Sequence, residues 1–187
     1  MSGYAELVKS WLLTPHLSSF NSQLSTFNLP EPDLVKESHI LLAIQVKEYY
    51  VSQDPTEHGI RKALNFGHTV GHALEELSLA SDGERMPKAG KGLSHGYAVL
   101  YGMVAELYLS HVLLGLDKQY VTLVSHLVTE YYGRPSVSCK QYQRIYELIQ
   151  HDKKGSYTLL KAKGEPVIDQ LASKELLFEA LDYLFSI

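Results

Sequence analysis

Arg61 to Leu79 reads RKALNFGHTVGHALEELSL. An α-helix turns about 100° per residue, so a helix over this stretch brings Arg61, Asn65, His68 and His72 within roughly 60° of one another. Phe66, Val70, Ala73, Leu74 and Leu77 fall on the opposite side. One face is therefore apolar and the other is Arg, Asn, His, His. A solvated face ordinarily carries Lys and Glu, whereas aligned imidazoles, an amide and a guanidinium suit a metal or an anion. Gly67 and Gly71 interrupt the stretch, each costing roughly 1 kcal/mol relative to Ala, which predicts close approach by another helix or a ligand. Against this, the chain has nine histidines, so a pair four apart can arise by chance. The pair also lacks the Glu that follows the first His in zinc-protease helices. Arg61 and Asn65 on the same face favour function.

Composition narrows the classes. The 187 residues suit one domain, and a chain of this size buries about 70% of its unfolded surface without disulfide staples. The single cysteine, Cys139, cannot form an internal disulfide and suits a reducing compartment. A net charge of −4 gives no electrostatic case for nucleic acid or an anionic membrane. No apolar run approaches the roughly 18 residues a membrane span needs, and MSGYAELVKSWLLTPH lacks the layout of a secretory signal. The expectation is a cytoplasmic protein with no nucleic-acid or membrane partner.

The flanking segments read as helices. Tyr4 to Leu13 is a short one, with Glu6 and Lys9 on one face. His16 to Pro32 is a polar loop or irregular helix. Asp33 is placed to cap a helix over Leu34 to Tyr50, with Lys47 near its end. SQDPTEHG, 52–59, is a turn holding Asp54 and Glu57. Ala80 to Ser94 is a basic, Gly-rich loop without phosphate-loop spacing. His95 opens an almost wholly apolar helix to Gly115, a central buried one by its circumference. Lys118 to Tyr132 and Lys140 to Gln150 follow, then HDKKG, 151–155, as a basic turn. Tyr157 to Lys161 and Pro166 to Asp169 flank Lys163-Gly164 as a hairpin, and Ser173 caps a last helix, Lys174 to Phe185. The fold class is mainly α, about seven helices with one small β-hairpin, and no strand–glycine–helix nucleotide-binding unit is present.

An open catalytic metal site takes about three protein ligands. His68, His95 and Glu6 could supply them, although Asp54 or Glu57 could equally be the carboxylate. Lys9, Lys47, Arg61, Asn65, His72 and the HDKKG lysines, Lys153 and Lys154, could bind an acidic substrate.

AELVK (5–9), RKALNFGHTVGHALE (61–75), LSHGYAVLYGM (93–103) and DKK (152–154) resemble, in order, the carboxy-terminal domain of the 3-dehydroquinate synthases. The run L-N-x-G-H-[ST]-x-G-H-A-x-E with a later H-G is specific to these sugar phosphate cyclases. The resemblance implies that Glu6, His68 and His95 bind a divalent metal, zinc or cobalt, and that His72 contacts the substrate phosphate instead. It implies that Lys9, Lys47, Arg61, Asn65 and one of Lys153 or Lys154 line the same pocket, with Glu57 in the proton-transfer network. Lys9, Glu57 and His72 are the expected catalytic groups. The family converts 3-deoxy-arabino-heptulosonate 7-phosphate, a phosphorylated sugar acid, to 3-dehydroquinate in the shikimate route to aromatic amino acids. NAD oxidises the C5 hydroxyl transiently, phosphate leaves, the ketone is reduced again, and the ring reopens and closes as a carbocycle.

The family's amino-terminal, NAD-binding part is absent from residues 1–187, which are expected to form a single helical domain, inactive without that partner domain and homodimeric in the full enzyme. Trp11 stands where the family often has Gly, and the 80–94 loop is long and basic. Two other readings remain: the equivalent half of a cyclase making an inosose or a valiolone, or a non-catalytic helical binding module. Arg61, suited to a substrate carboxylate, favours the first reading.

Overall fold

The computed structural model describes residues 2–15, 28–80, 92–135, 137–153 and 155–187. Among them are seven α-helices: α1 (Ser2–Leu13), α2 (Glu37–Gln53), α3 (His68–Ala80), α4 (His95–Leu114), α5 (Lys118–Tyr132), α6 (Tyr142–Lys153) and α7 (Lys174–Ser186). Strands β1 (Ser156–Ala162) and β2 (Glu165–Leu171) form an antiparallel pair. Most of His16 to Pro32, including His16, most of Ala80 to Ser94, and Lys154 lie outside the described residues.

Helix α4 is the axis of the fold, packed by α1, α3, α5, α7 and β1. Its residues from Ala98 to Leu107 are all buried, as its apolar circumference predicts. Gly115, at φ 75°, ends it in the left-handed conformation. By length and apolarity α4 would also pass for a membrane span, contrary to the absence of such a run expected above; 67% of that window is buried inside the domain. Ser173 caps α7 by accepting from the Leu176 N–H at 3.1 Å. Between the strands Ala162 pairs with Glu165 across the two-residue turn Lys163-Gly164. Gly164 N–H donates to the Leu12 carbonyl at 2.7 Å, which fastens the hairpin to the end of α1.

The stretch from Arg61 to Leu79 is not one helix. Ile60–Asn65 is a 3₁₀ turn, Phe66 is extended, Gly67 takes φ 80°, and α3 starts at His68. The break has a long-range cause. The fully buried carboxylate of Glu106, on α4, accepts from the N–H of Gly67 at 2.6 Å and of Val70 at 3.1 Å. It serves the first turn of α3 as a capping side chain would. The glycines do mark a close approach. A Cβ on Gly71 would lie 3.0 Å from the Ala98 carbonyl, and one on Gly102 would lie 2.6 Å from the Gly71 nitrogen and strike the Gly67 carbonyl.

Two other boundaries move. Asp33 does not cap a helix at Leu34: it sits in a 3₁₀ turn, Pro32–Leu34, Val35 and Lys36 are extended, and α2 begins at Glu37. There His39 Nδ1 accepts the Lys36 N–H at 3.0 Å. The turn expected over HDKKG is helical as far as Lys153, continuing α6.

Candidate functional site

The site forms where the starts of α3 and α4 meet. His68 is the first residue of α3, His72 lies one turn on, and His95 is the first residue of α4. Their nearest ring nitrogens all lie within 4.8 Å of one another. The ring centroids are 5.4 Å apart for His68–His72, 5.5 Å for His68–His95 and 5.8 Å for His72–His95. The Gly67–Gly71–Gly102 contact makes this possible, because bulkier residues would hold the two helix starts apart.

Hydrogen bonds orient two of the rings. His68 Nδ1 lies 3.2 Å from the Phe66 carbonyl, which only accepts, so Nδ1 carries the proton and Nε2 keeps its lone pair. His95 Nδ1 lies 3.0 Å from Glu75 Oε2, and the same argument applies. Burial, reinforced by the Lys9 ammonium, holds the His68 pKa down to about 4. This imidazole is neutral at neutral pH, the form a metal requires.

Glu6 stands outside the imidazole triad. Its Oε1 accepts from Lys9 Nζ at 2.8 Å, and Lys9 is only 4% exposed. Burial pushes the Glu6 carboxyl up, but Lys9, with smaller contributions from His68 and Lys47, brings it below its ordinary range. Burial pushes the Lys9 ammonium down while Glu6 holds it up, and the net shift is downward. Glu6, Lys9, Lys47 and His68 thus share one electrostatic neighbourhood. Glu6 and Lys47 also border a groove of about 540 Å³ between α1 and α2, lined by Tyr4, Leu7, Ser10 and Ile44 among others.

The 3₁₀ turn presents the remaining groups. Arg61 and Asn65 do not share a helix face with the histidines, because the break at Gly67 intervenes; they converge on Glu57. Asn65 Nδ2 donates to Glu57 Oε1 at 2.8 Å, and Arg61 Nε lies 3.8 Å from Glu57 Oε2. Arg61 Nη1 also donates to the Pro55 carbonyl at 2.7 Å. Glu57 adopts φ 58°, a conformation uncommon for non-glycine residues. Asp54 accepts from the N–H groups of His58, Gly59 and Arg61, and these bonds hold its carboxyl below its ordinary pKa. Asp54 is therefore committed to shaping the turn. Lys62 bonds Asp169 at 2.8 and 3.0 Å, which ties the turn to β2.

The residue pattern missed three contributors: Glu106, Asp54 as a turn organiser, and Glu75. Asp54 is legible as a turn residue, and Glu75 closes the H-A-x-E run and sits on a helical wheel at the edge of the histidine stripe; Glu106 leaves no signal.

Residues 3–155 match the family model for the 3-dehydroquinate synthase C-terminal domain. The chain belongs to that family. It is 40% identical to the 3-dehydroquinate synthase of Parabacteroides distasonis over 98% of this chain and 51% of that protein. It is 35% identical to the enzyme of Listeria monocytogenes over 95% of this chain and 47% of that protein. The chain thus spans about half the length of these curated relatives. Among solved structures it resembles 2-deoxy-scyllo-inosose synthase complexed with carbaglucose-6-phosphate, NAD+ and Co2+ (TM-score 0.68, 22% identity, 97% of this chain and 50% of that one). It also resembles a 2-epi-5-epi-valiolone synthase from Streptomyces hygroscopicus with NAD+ and Zn2+ bound (TM-score 0.65, 20% identity, 98% and 50%). At these identities the structures speak for the fold.

Proposed function

We propose that this domain is the metal- and substrate-binding half of an enzyme converting 3-deoxy-arabino-heptulosonate 7-phosphate to 3-dehydroquinate and phosphate. The observation that carries the proposal is the imidazole cluster. Its nitrogens converge to within 4.8 Å, and two of its rings are hydrogen-bonded through Nδ1 so that Nε2 is left to bind. This donor set fits a divalent ion such as zinc or cobalt. His68, His95 and Glu6 would hold the ion, which would supply Lewis-acid polarisation of substrate hydroxyls. His72, close enough to compete as a ligand, is assigned to the substrate phosphate.

The chain's own groups then have defined work. Lys9, Lys47, Arg61 and one of Lys153 or Lys154 place cations around a substrate carrying a carboxylate and a phosphate. Asn65 and Arg61 hold Glu57, which moves protons near the ring. The described strands form only the hairpin, which gives no nucleotide-binding unit. NAD is assigned to a separate amino-terminal domain of the full-length enzyme, and residues 1–187 to one helical domain.

A chimera joining this chain to the amino-terminal half of the Parabacteroides relative tests the proposal. With NAD and zinc it is expected to release phosphate from the heptulosonate phosphate, whereas the isolated chain does not. A folded, zinc-loaded chimera without turnover, or turnover by the isolated chain, would overturn it.

A further inference from the structure

Glu75 has no part in the proposed reaction, yet it is bonded to one of the residues assigned to the metal, His95. Glu75 lies on the second turn of α3, three residues after His72 and seven after His68. Its Oε2 reaches across to α4 and meets His95 Nδ1 at 3.0 Å. The two side chains differ in exposure, 29% for Glu75 and 49% for His95. His68 is held by burial and by a backbone carbonyl. His95 is more open, opens its helix, and follows Ser94, whose side chain makes no capping bond. A half-exposed ring at a helix start can turn about its side-chain torsions and exchange its proton between nitrogens unless something holds it.

We propose that Glu75 is a positioning residue for His95. Its carboxylate fixes the Nδ1–H tautomer and aims Nε2 into the cluster. The inference rests on the metal-site reading given above. A carboxylate suits the task because it only accepts, which excludes the opposite tautomer. An imidazole that donates its other N–H to a carboxylate is the usual support for a metal-bound histidine. The competing account is a surface ion pair between adjacent helices, worth little, and it predicts no effect on metal binding.

The test uses the purified chain at pH 8 with two readouts, on wild type, Glu75→Gln and Glu75→Ala. Long-range ¹H–¹⁵N spectra of the metal-free protein report the His95 tautomer. Titration with Co2+, followed by its visible absorption, reports affinity. Wild type is expected to hold His95 as Nδ1–H, and Glu75→Ala to shift it toward Nε2–H. Glu75→Ala is expected to weaken Co2+ binding about 10- to 100-fold. Glu75→Gln, whose amide oxygen still accepts from Nδ1–H, is expected to fall between, with metal-free thermal unfolding unchanged in both. An Nε2–H tautomer in wild type, or wild-type Co2+ affinity in Glu75→Ala, overturns the role of Glu75 while leaving the metal site standing. Failure of wild type to bind Co2+ overturns both readings together.

Discussion

Glu106 Oε2 and the backbone N–H of Gly67 are 2.6 Å apart, 39 residues apart in sequence, and wholly buried. Through this contact and its companion to Val70, helix α4 sets where α3 begins and hence where His68 stands. Glu106→Gln replaces one acceptor oxygen with an NH₂ that faces an N–H. The expected loss is about 2–4 kcal/mol, read from urea unfolding of the metal-free chain. A loss under about 1 kcal/mol would show that other groups set the α3 start.

Gly102 allows the two helix starts to meet. A Cβ there would strike the Gly67 carbonyl and lie 2.6 Å from the Gly71 nitrogen, both backbone atoms with little freedom to move. Gly102→Ala should destabilise by about 1–3 kcal/mol or more and weaken Co2+ binding as His95 draws away from His68. Unchanged melting and metal affinity would contradict the packing described.

Much of the fold is legible in the residue pattern for local reasons. Helix α4 declares itself by an apolar circumference ending in Gly115, α7 by Ser173, and the hairpin by Lys163-Gly164. The break at Gly67 is not legible, because Glu106 imposes it from 39 residues away; periodicity over Arg61 to Leu79 runs straight through it. The start of α2 is displaced for a related reason. Asp33 has the right chemistry for a cap, but Pro32 leads into a tight turn and His39 takes the capping role. In the site, the three histidines stand out as residue types. The wheel does place Glu75 beside them, yet its link to His95 needs the second helix.

Acid should loosen the metal-free domain in a defined window. The His68 pKa is depressed to about 4 in the fold, while the unfolded side chain titrates near 6.5. The unfolded state therefore takes up the proton first, so stability falls as pH drops from roughly 6.5 toward 4, by at most about 3 kcal/mol before allowing for solvent screening. Glu6, also depressed, adds a loss below its ordinary carboxylate range. The urea midpoint is expected to be lower at pH 5 than at pH 7.5; an equal or higher midpoint at pH 5 would contradict this.

Asp54 should matter through Glu57, Arg61 and Asn65. Asp54→Ala removes the acceptor for the N–H groups of His58, Gly59 and Arg61. Hydrogen exchange at Gly59 and Arg61 is expected to accelerate, with β1 and β2 unaffected and turnover by the chimera reduced. Unaltered protection at both amides would show that the turn holds without its carboxylate.

His68 and His95, with Glu6, are proposed to hold a divalent ion at the meeting of α3 and α4. Zinc content after dialysis tests this assignment most directly, across wild type and the variants Glu6→Ala, His68→Ala, His95→Ala and His72→Ala. The expected result is close to one ion per chain in wild type and His72→Ala, with little in the other three. A zinc-free wild type, or full occupancy in both His68→Ala and His95→Ala, would contradict it.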